Sequence, residues 1–98
     1  MEKVIIINEE CHGFIGVAHD IPSVIDFLVE EGWLHEWTEV FIANKGWTAV
    51  KTEFGNNWEE HFKSLSFDDL RDLFDGCFYF QEEEVDKAPI MCYIMYRK

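Results

Sequence analysis

Basic residues are scarce in this sequence: eight Lys and Arg stand against twenty Asp and Glu, a formal net charge of -12. That balance opposes binding to bare DNA, RNA or an anionic membrane surface, where the long-range field of the chain is repulsive. No direct nucleic-acid and no membrane partner is expected, and a basic protein is favoured instead. Cysteine is sparse as well. Cys11, Cys77 and Cys92 are three thiols with no CxxC spacing, which indicates neither a disulfide framework nor a zinc knuckle. The two prolines and six glycines form no linker or low-complexity tract, and no repeat divides the 98 residues. One domain, 1–98, is the expectation. Long apolar runs are missing too. Near the N-terminus, Val4, Ile5, Ile6 and Ile7 are followed by acids, too short a run for a signal peptide or a membrane span. A cytoplasmic protein is expected.

What the chain does contain is core-forming material. Hydrophobic residues make up 48% of it, with nine Phe, four Trp and three Tyr, far from the composition of disordered chains. Residues 54–76 organise the rest. Phe67, Leu70, Leu73 and Phe74 recur at the offsets of one helix face, while Asp68, Asp69, Asp72 and Asp75 take the remaining surface. Ser66 is placed to cap this helix and Gly76 to end it, giving a helix over 66–75.

Upstream, residues 4–7 read as a central strand buried on both faces, and residues 14–18 as its hairpin partner, with Gly16 marking a bulge or a close approach. A helix over 22–31 follows, capped by Asp20 or Ser23 and ended by Gly32; Ile21, Val24, Ile25 and Leu28 form its apolar face. Residues 33–45 show no dominant period, although Trp33, Leu34 and Trp37 are large enough to expect burial. Residues 40–42 suit a short strand, residues 44–46 a turn, and residues 47–54 either a strand or a helix. Asn56 or Asn57 caps a short helix on which Trp58, Phe62 and Leu65 share a face.

Residues 77–80 and 90–96 read as a second hairpin around an acidic stretch and a turn at 86–89, the last strand being apolar on both faces. The expected order is two strands, three or four short helices, then two strands. The fold class is α+β: a small, mostly antiparallel sheet made of the N-terminal and C-terminal hairpins, with the helices packed on one side.

The segments FGNNW (54–58), SLSFDDL (64–70), LFDG (73–76) and FYFQEEEV (78–85) resemble short acidic proteins encoded by bacteriophages and mobile elements of Gram-positive bacteria. The resemblance covers mainly the C-terminal half. It implies a setting, the cytoplasm of a bacterial host, and no activity or site residue.

Residues suited to catalysis or metal binding are scattered. Cys11, His12, His19, His35 and His61 lack the spacing of a zinc site, and the adjacent Cys and His side chains of a strand or turn point apart. Nucleophile-elbow, Walker A and dinucleotide fingerprints are absent, as are calcium-binding loops. No cofactor and no enzymatic activity are expected. Paired carboxylates at Glu9 and Glu10, Glu30 and Glu31, Glu59 and Glu60 suit a solvated surface better than an acid–base pair, which needs convergence in a cleft.

The acids of the organising helix have a sharper reading. Asp68, Asp72 and Asp75 fall at i, i+4 and i+7, on the order of 5 to 6 Å apart along one edge. Phosphates along a DNA strand repeat about every 3.4 Å of helix axis, so such a row suits a basic groove built for nucleic acid. The expected function is therefore a non-enzymatic interaction protein, a nucleic-acid mimic that inhibits a basic nucleic-acid-binding protein or nuclease. Its expected partner-binding residues are Asp68, Asp69, Asp72 and Asp75 with Glu82, Glu83 and Glu84. The alternative is a homo-oligomeric phage accessory protein, a homodimer or larger, assembled through its apolar strands.

Overall fold

A computed structural model describes residues 3–84 of the chain. Its elements run β1 (Lys3–Glu9), β2 (Gly13–Ala18), α1 (Ile21–Glu30), β3 (Glu39–Ile42), β4 (Gly46–Ala49), α2 (Val50–Phe54), α3 (Trp58–Lys63), α4 (Phe67–Leu73) and β5 (Phe78–Glu84). The fold is α+β: the described residues form a three-stranded antiparallel sheet in the order β2-β1-β5, a separate two-stranded sheet of β3 and β4, and four helices. The expected last strand, 90–96, and the turn at 86–89 lie outside the described residues.

The β-branched run makes β1 the central strand. Ile5 and Ile7 enter the main core with Val24, Ile25 and Leu28 of α1, while Val4 and Ile6 join Val17 in a second cluster on the opposite sheet face. Against β2 the register shifts between Ile7 and Asn8, which pair with Gly16 and Phe14 and leave Ile15 as the extra residue of a bulge. Gly16 also accommodates a close approach: a Cβ there would overlap the Phe27 ring of α1. Asp20 caps α1, its carboxylate accepting from the Ser23 amide at 2.9 Å. Hydrogen bonding by the Ser23 side chain, and then by its amide, holds the Asp20 carboxyl below its ordinary pKa.

The stretch that shows no dominant period holds the main departure from the expected order. A hairpin, β3–β4, stands between α1 and α2, closed by a turn in which Asn44 and Gly46 take φ of 74° and 80°. Val40 faces the core, fully buried, while Phe41 points outward at 53% exposure. With large apolar groups on both sides of a strand, alternation disappears from the sequence. Residues 47–54 prove to be strand and then helix, the change falling between Ala49 and Val50. Trp37, expected not to be left fully exposed, is 62% exposed and has the Lys51 ammonium 6.0 Å from its ring centroid.

The remaining helices converge on aromatic rings. Phe62 of α3 meets Phe74 edge-on at 5.3 Å, and Phe74 in turn meets Phe78 of β5 at 5.7 Å. An ion pair between Lys63 and Asp26, 2.8 Å, ties α3 to α1. The Ser66 hydroxyl accepts from the Asp69 amide at 3.1 Å, as an N-cap should. The helix is shorter than expected, because the amides of Cys77 and Phe78 both bond the Phe74 carbonyl (2.8 and 2.9 Å) and Gly76 turns at φ 89°. Asp75 therefore lies beyond its end. Strand β5 is longer than expected, since pairing with β1 continues to Lys3 opposite Glu84 and draws Glu82, Glu83 and Glu84 into the sheet.

Leu70 is completely buried, so Leu70→Ala is expected to destabilise the fold by about 2 to 5 kcal/mol, and Ser66→Ala by about 1 kcal/mol, in urea-unfolding curves. Gly16→Ala, which presses a methyl group into the Phe27 ring, is expected to cost about 1 to 3 kcal/mol. Loss of the same midpoint stability in a Gly16→Ala/Phe27→Leu pair would trace the cost to backbone conformation instead of to the ring.

Candidate partner-binding surface

Four of the expected site residues come from α4 and the turn after it. Asp68 and Asp69 stand in the first helical turn, where their negative charge complements the exposed amides and the helix dipole. Asp68 lies 3.9 Å from Arg71, but with side chains 88% and 57% exposed the pair is screened and weak. The Arg71 guanidinium also lies 5.7 Å from the Phe67 ring centroid. Asp69, Asp72 and Asp75 are exposed and make no ion pair among the described residues.

The row is bent, not straight. Asp72 still belongs to α4, whereas Asp75 follows the last helical turn and swings toward the start of β5. Together with Arg71, Phe78, Tyr79 and Phe80 these two carboxylates line an open groove of about 390 Å3. The groove thus has one charged wall, Arg71 and Asp72 from α4 with Asp75 from the turn after it, and one aromatic wall from β5.

Sequence reasoning did not join Glu9 and Glu10 to this site. Pairing of β1 with β5 sets Glu9 opposite Phe78, and the Glu10 amide bonds the Cys77 carbonyl at 3.0 Å. The Tyr79 hydroxyl donates to the Glu10 carboxylate. Burial raises the Cys77 thiol pKa, and the negative charges of Glu9, Glu10 and Asp75 raise it further. These carboxylates are close enough to act on one thiol, although they are some 65 residues apart in sequence. Only the strand register brings them together, and register is not written in either segment alone.

Glu82, Glu83 and Glu84 are on the same strand but at its other end, opposite Ile5, Val4 and Lys3. At about 3.3 Å per residue, Glu82 is roughly 13 Å from Phe78 along the strand. The structure therefore separates the expected site into an acidic cluster at the groove and a second one at the far end of β5. Glu82 is exposed, and Glu83 and Glu84 are half-buried.

Among the described residues the imidazoles and thiols do not converge, and Cys92 lies outside them. Glu9 Oε1 receives the Cys11 and His12 amides at 3.0 and 2.8 Å and contacts His12 Nδ1 at 2.6 Å, which organises the β1–β2 turn. The His12 hydrogen bond, followed by those amides, lowers the Glu9 pKa. His12 stands edge-on to Trp33, His35 accepts from the Trp37 amide, and His61 stacks on Phe54. Among the described residues no group of three or more His, Cys, Asp or Glu is placed to hold a metal ion. No helix among them is long and apolar enough to cross a membrane. Comparison with known protein families, with curated proteins and with solved structures finds no match.

Donation to Glu10 stabilises the protonated phenol of Tyr79, and the nearby negative charge of Asp75 acts in the same direction; together they push its pKa up to about 12. The raised value means that this contribution to stability is present below the ordinary tyrosine range, near 10, and is lost as pH rises through about 12. In an ultraviolet titration the parent is expected to show one phenol ionising near 12 that Tyr79→Phe lacks. Identical curves above pH 10 for the two proteins, after allowing for one tyrosine fewer at ordinary pKa, would remove the Tyr79–Glu10 contact from the site.

Proposed function

We propose that this protein is a non-enzymatic interaction protein whose α4–β5 face binds a basic surface on a nucleic-acid-handling protein and, by occupying it, competes with nucleic acid. One observation carries the reading: Asp69, Asp72 and Asp75 are solvent-exposed carboxylates unpaired among the described residues, standing beside an open groove on a chain of net charge -12. Core packing does not require them. A cationic partner would offset the like charge that they share. Within this reading Asp68, Asp72 and Asp75 meet Lys and Arg side chains, and Glu10 extends the acidic surface past the groove. Glu82, Glu83 and Glu84 form an outlying part that a long basic surface reaches and a short one does not.

The bend between Asp72 and Asp75 refines the mimicry. A straight helical row would copy one strand of a duplex, whereas a curved row next to aromatic rings suits a basic cleft with an apolar floor. Phe78 and Phe80 are largely buried, so Tyr79, at 44% exposure, is the ring available to a partner.

Replacing Asp68, Asp72 and Asp75 together by Lys is expected to keep the fold at a modest cost, about 1 kcal/mol for reversing the charge of Asp68 at the helix N-terminus and no more than about 0.5 kcal/mol at each of the other two exposed positions. Binding to a basic nucleic-acid-binding partner captured from a bacterial host is expected to weaken at least tenfold, an amount ordinary for loss of steering and pairing charges. In the parent, raising salt is expected to weaken the same complex. A folded triple variant that binds as tightly as the parent, with salt affecting neither, would refute the acidic-face reading.

A further inference from the structure

We propose that the C-terminal segment of the chain, residues 85–98, docks on the sheet face opposite the helices and covers it. Val4, Ile6 and Val17 are 1%, 8% and 7% exposed and form an apolar cluster of their own on that face. The helices do not supply the cover, because the buried residues of α1, α2, α3 and α4 all belong to the main core. Among the described residues, Phe14 is the one further apolar side chain packed against the cluster. Side chains stand roughly perpendicular to a sheet, so neighbours on the same face flank a residue without capping it. A fully buried residue touches about 6 to 12 others, more than these strands provide by themselves.

Position and length select the occupant. Glu83 lies opposite Val4 and Glu84 opposite Lys3, so the chain leaves the described residues beside Val4, at one end of the cluster. Phe14, opposite Asn8, marks the other end, about 13 Å away along β1 at about 3.3 Å per residue. Residues 85–89 reach about 17 Å when extended, and the next seven, 90–96, are all apolar. Met1 and Glu2 reach only about 7 Å and do not span the face. A hairpin strand added along β5, the arrangement expected from the sequence pattern, lengthens the sheet but does not cap Val17, which belongs to β2 at the opposite edge.

Charge favours the same occupant. The segment holds Lys87, Arg97 and Lys98 against Asp86, a net charge of +2, which leaves -14 on residues 1–84. Opposite signs draw the segment to the rest of the chain, whereas a second copy of net charge -12 is repelled. Tethering adds to this, since a short linker holds the segment at an effective concentration on the order of millimolar, against which a separate partner must compete. The docking does not rest on the acidic-face reading, because none of Val4, Ile6, Phe14 and Val17 lines the groove.

The test uses the full chain and its own thiols. Cys92 belongs to the docking segment, and the exposed Cys11 serves as the reference. Alkylation by iodoacetamide is followed at each cysteine by peptide mass spectrometry, and each rate is divided by that of the same thiol in the urea-unfolded chain. On this scale Cys92 is expected to react at least tenfold more slowly than Cys11, because the segment must undock before the reagent reaches it. Phe14→Ser removes apolar contact from the far end of the face and is expected to raise the Cys92 rate severalfold, with the Cys77 rate and the far-ultraviolet circular dichroism unchanged. Val17→Thr, close to the parent in shape, carries the same expectation should Phe14→Ser fold poorly. Equal scaled rates for Cys92 and Cys11 in the parent would overturn the proposal. So would protection of Cys92 that the folded variants leave intact, which puts the segment elsewhere, or protection that is lost on dilution, which makes a second copy the cover.

Discussion

Phe74 is the ring on which the groove side of this molecule depends. It is fully buried, receives Phe62 of α3 at 5.3 Å and faces Phe78 and Phe80 of β5 at 5.7 and 6.2 Å. Its carbonyl also accepts two amides from the segment entering β5, so one residue ends a helix, turns the chain and anchors the next strand. The positions of Asp72 and Asp75 follow from it. Asp72 precedes Phe74 on the helix, Asp75 follows it in the turn, and Tyr79 stands on the strand that its packing holds in place. Aromatic packing at the core thus determines where the carboxylates stand in water.

The second constraint is β1. Being central and β-branched, it is covered on both faces, and its pairing with β5 joins residues near the two ends of the described chain. Such a non-local contact is slow to form, since the loop between must be closed before the pairing is rewarded. It also creates the part of the candidate site that no local segment encodes. The β1–β2 turn, held by Glu9 accepting from two amides, positions Glu10 against Tyr79. A carboxylate that orders a turn and a carboxylate that borders a groove are here neighbours in sequence.

Much of the fold was legible because local signals agreed. The caps at Asp20 and Ser66, the glycines at 32 and 76, the β-branched run of β1 and the apolar stripes of α1 and α4 each had a physical reason that tertiary structure did not override. The β3–β4 hairpin was obscured because Phe41 and Trp47 are apolar where a surface residue would be expected. The acidic residues of α4 were legible as an exposed row, but not the bend after Asp72, which needs the Phe74 carbonyl to accept from beyond the helix. The grouping of Glu9 and Glu10 with Asp75 depended on strand register, and the separation of Glu82 from them did as well.

The acidic surface acts on its surroundings at a distance, before contact. No charged side chain is buried among the described residues, so the acidic excess is carried at the surface and acts through solvent. Its reach is about one Debye length, roughly 8 to 10 Å near physiological salt, far enough to steer a cationic partner before contact. Lys45 and Lys63, cations 3.0 Å from Glu53 and 2.8 Å from Asp26, offset part of that field. Asp69, Asp72 and Asp75 make no ion pair among the described residues, so beside the groove the acidic excess stands uncompensated by the chain's own cations.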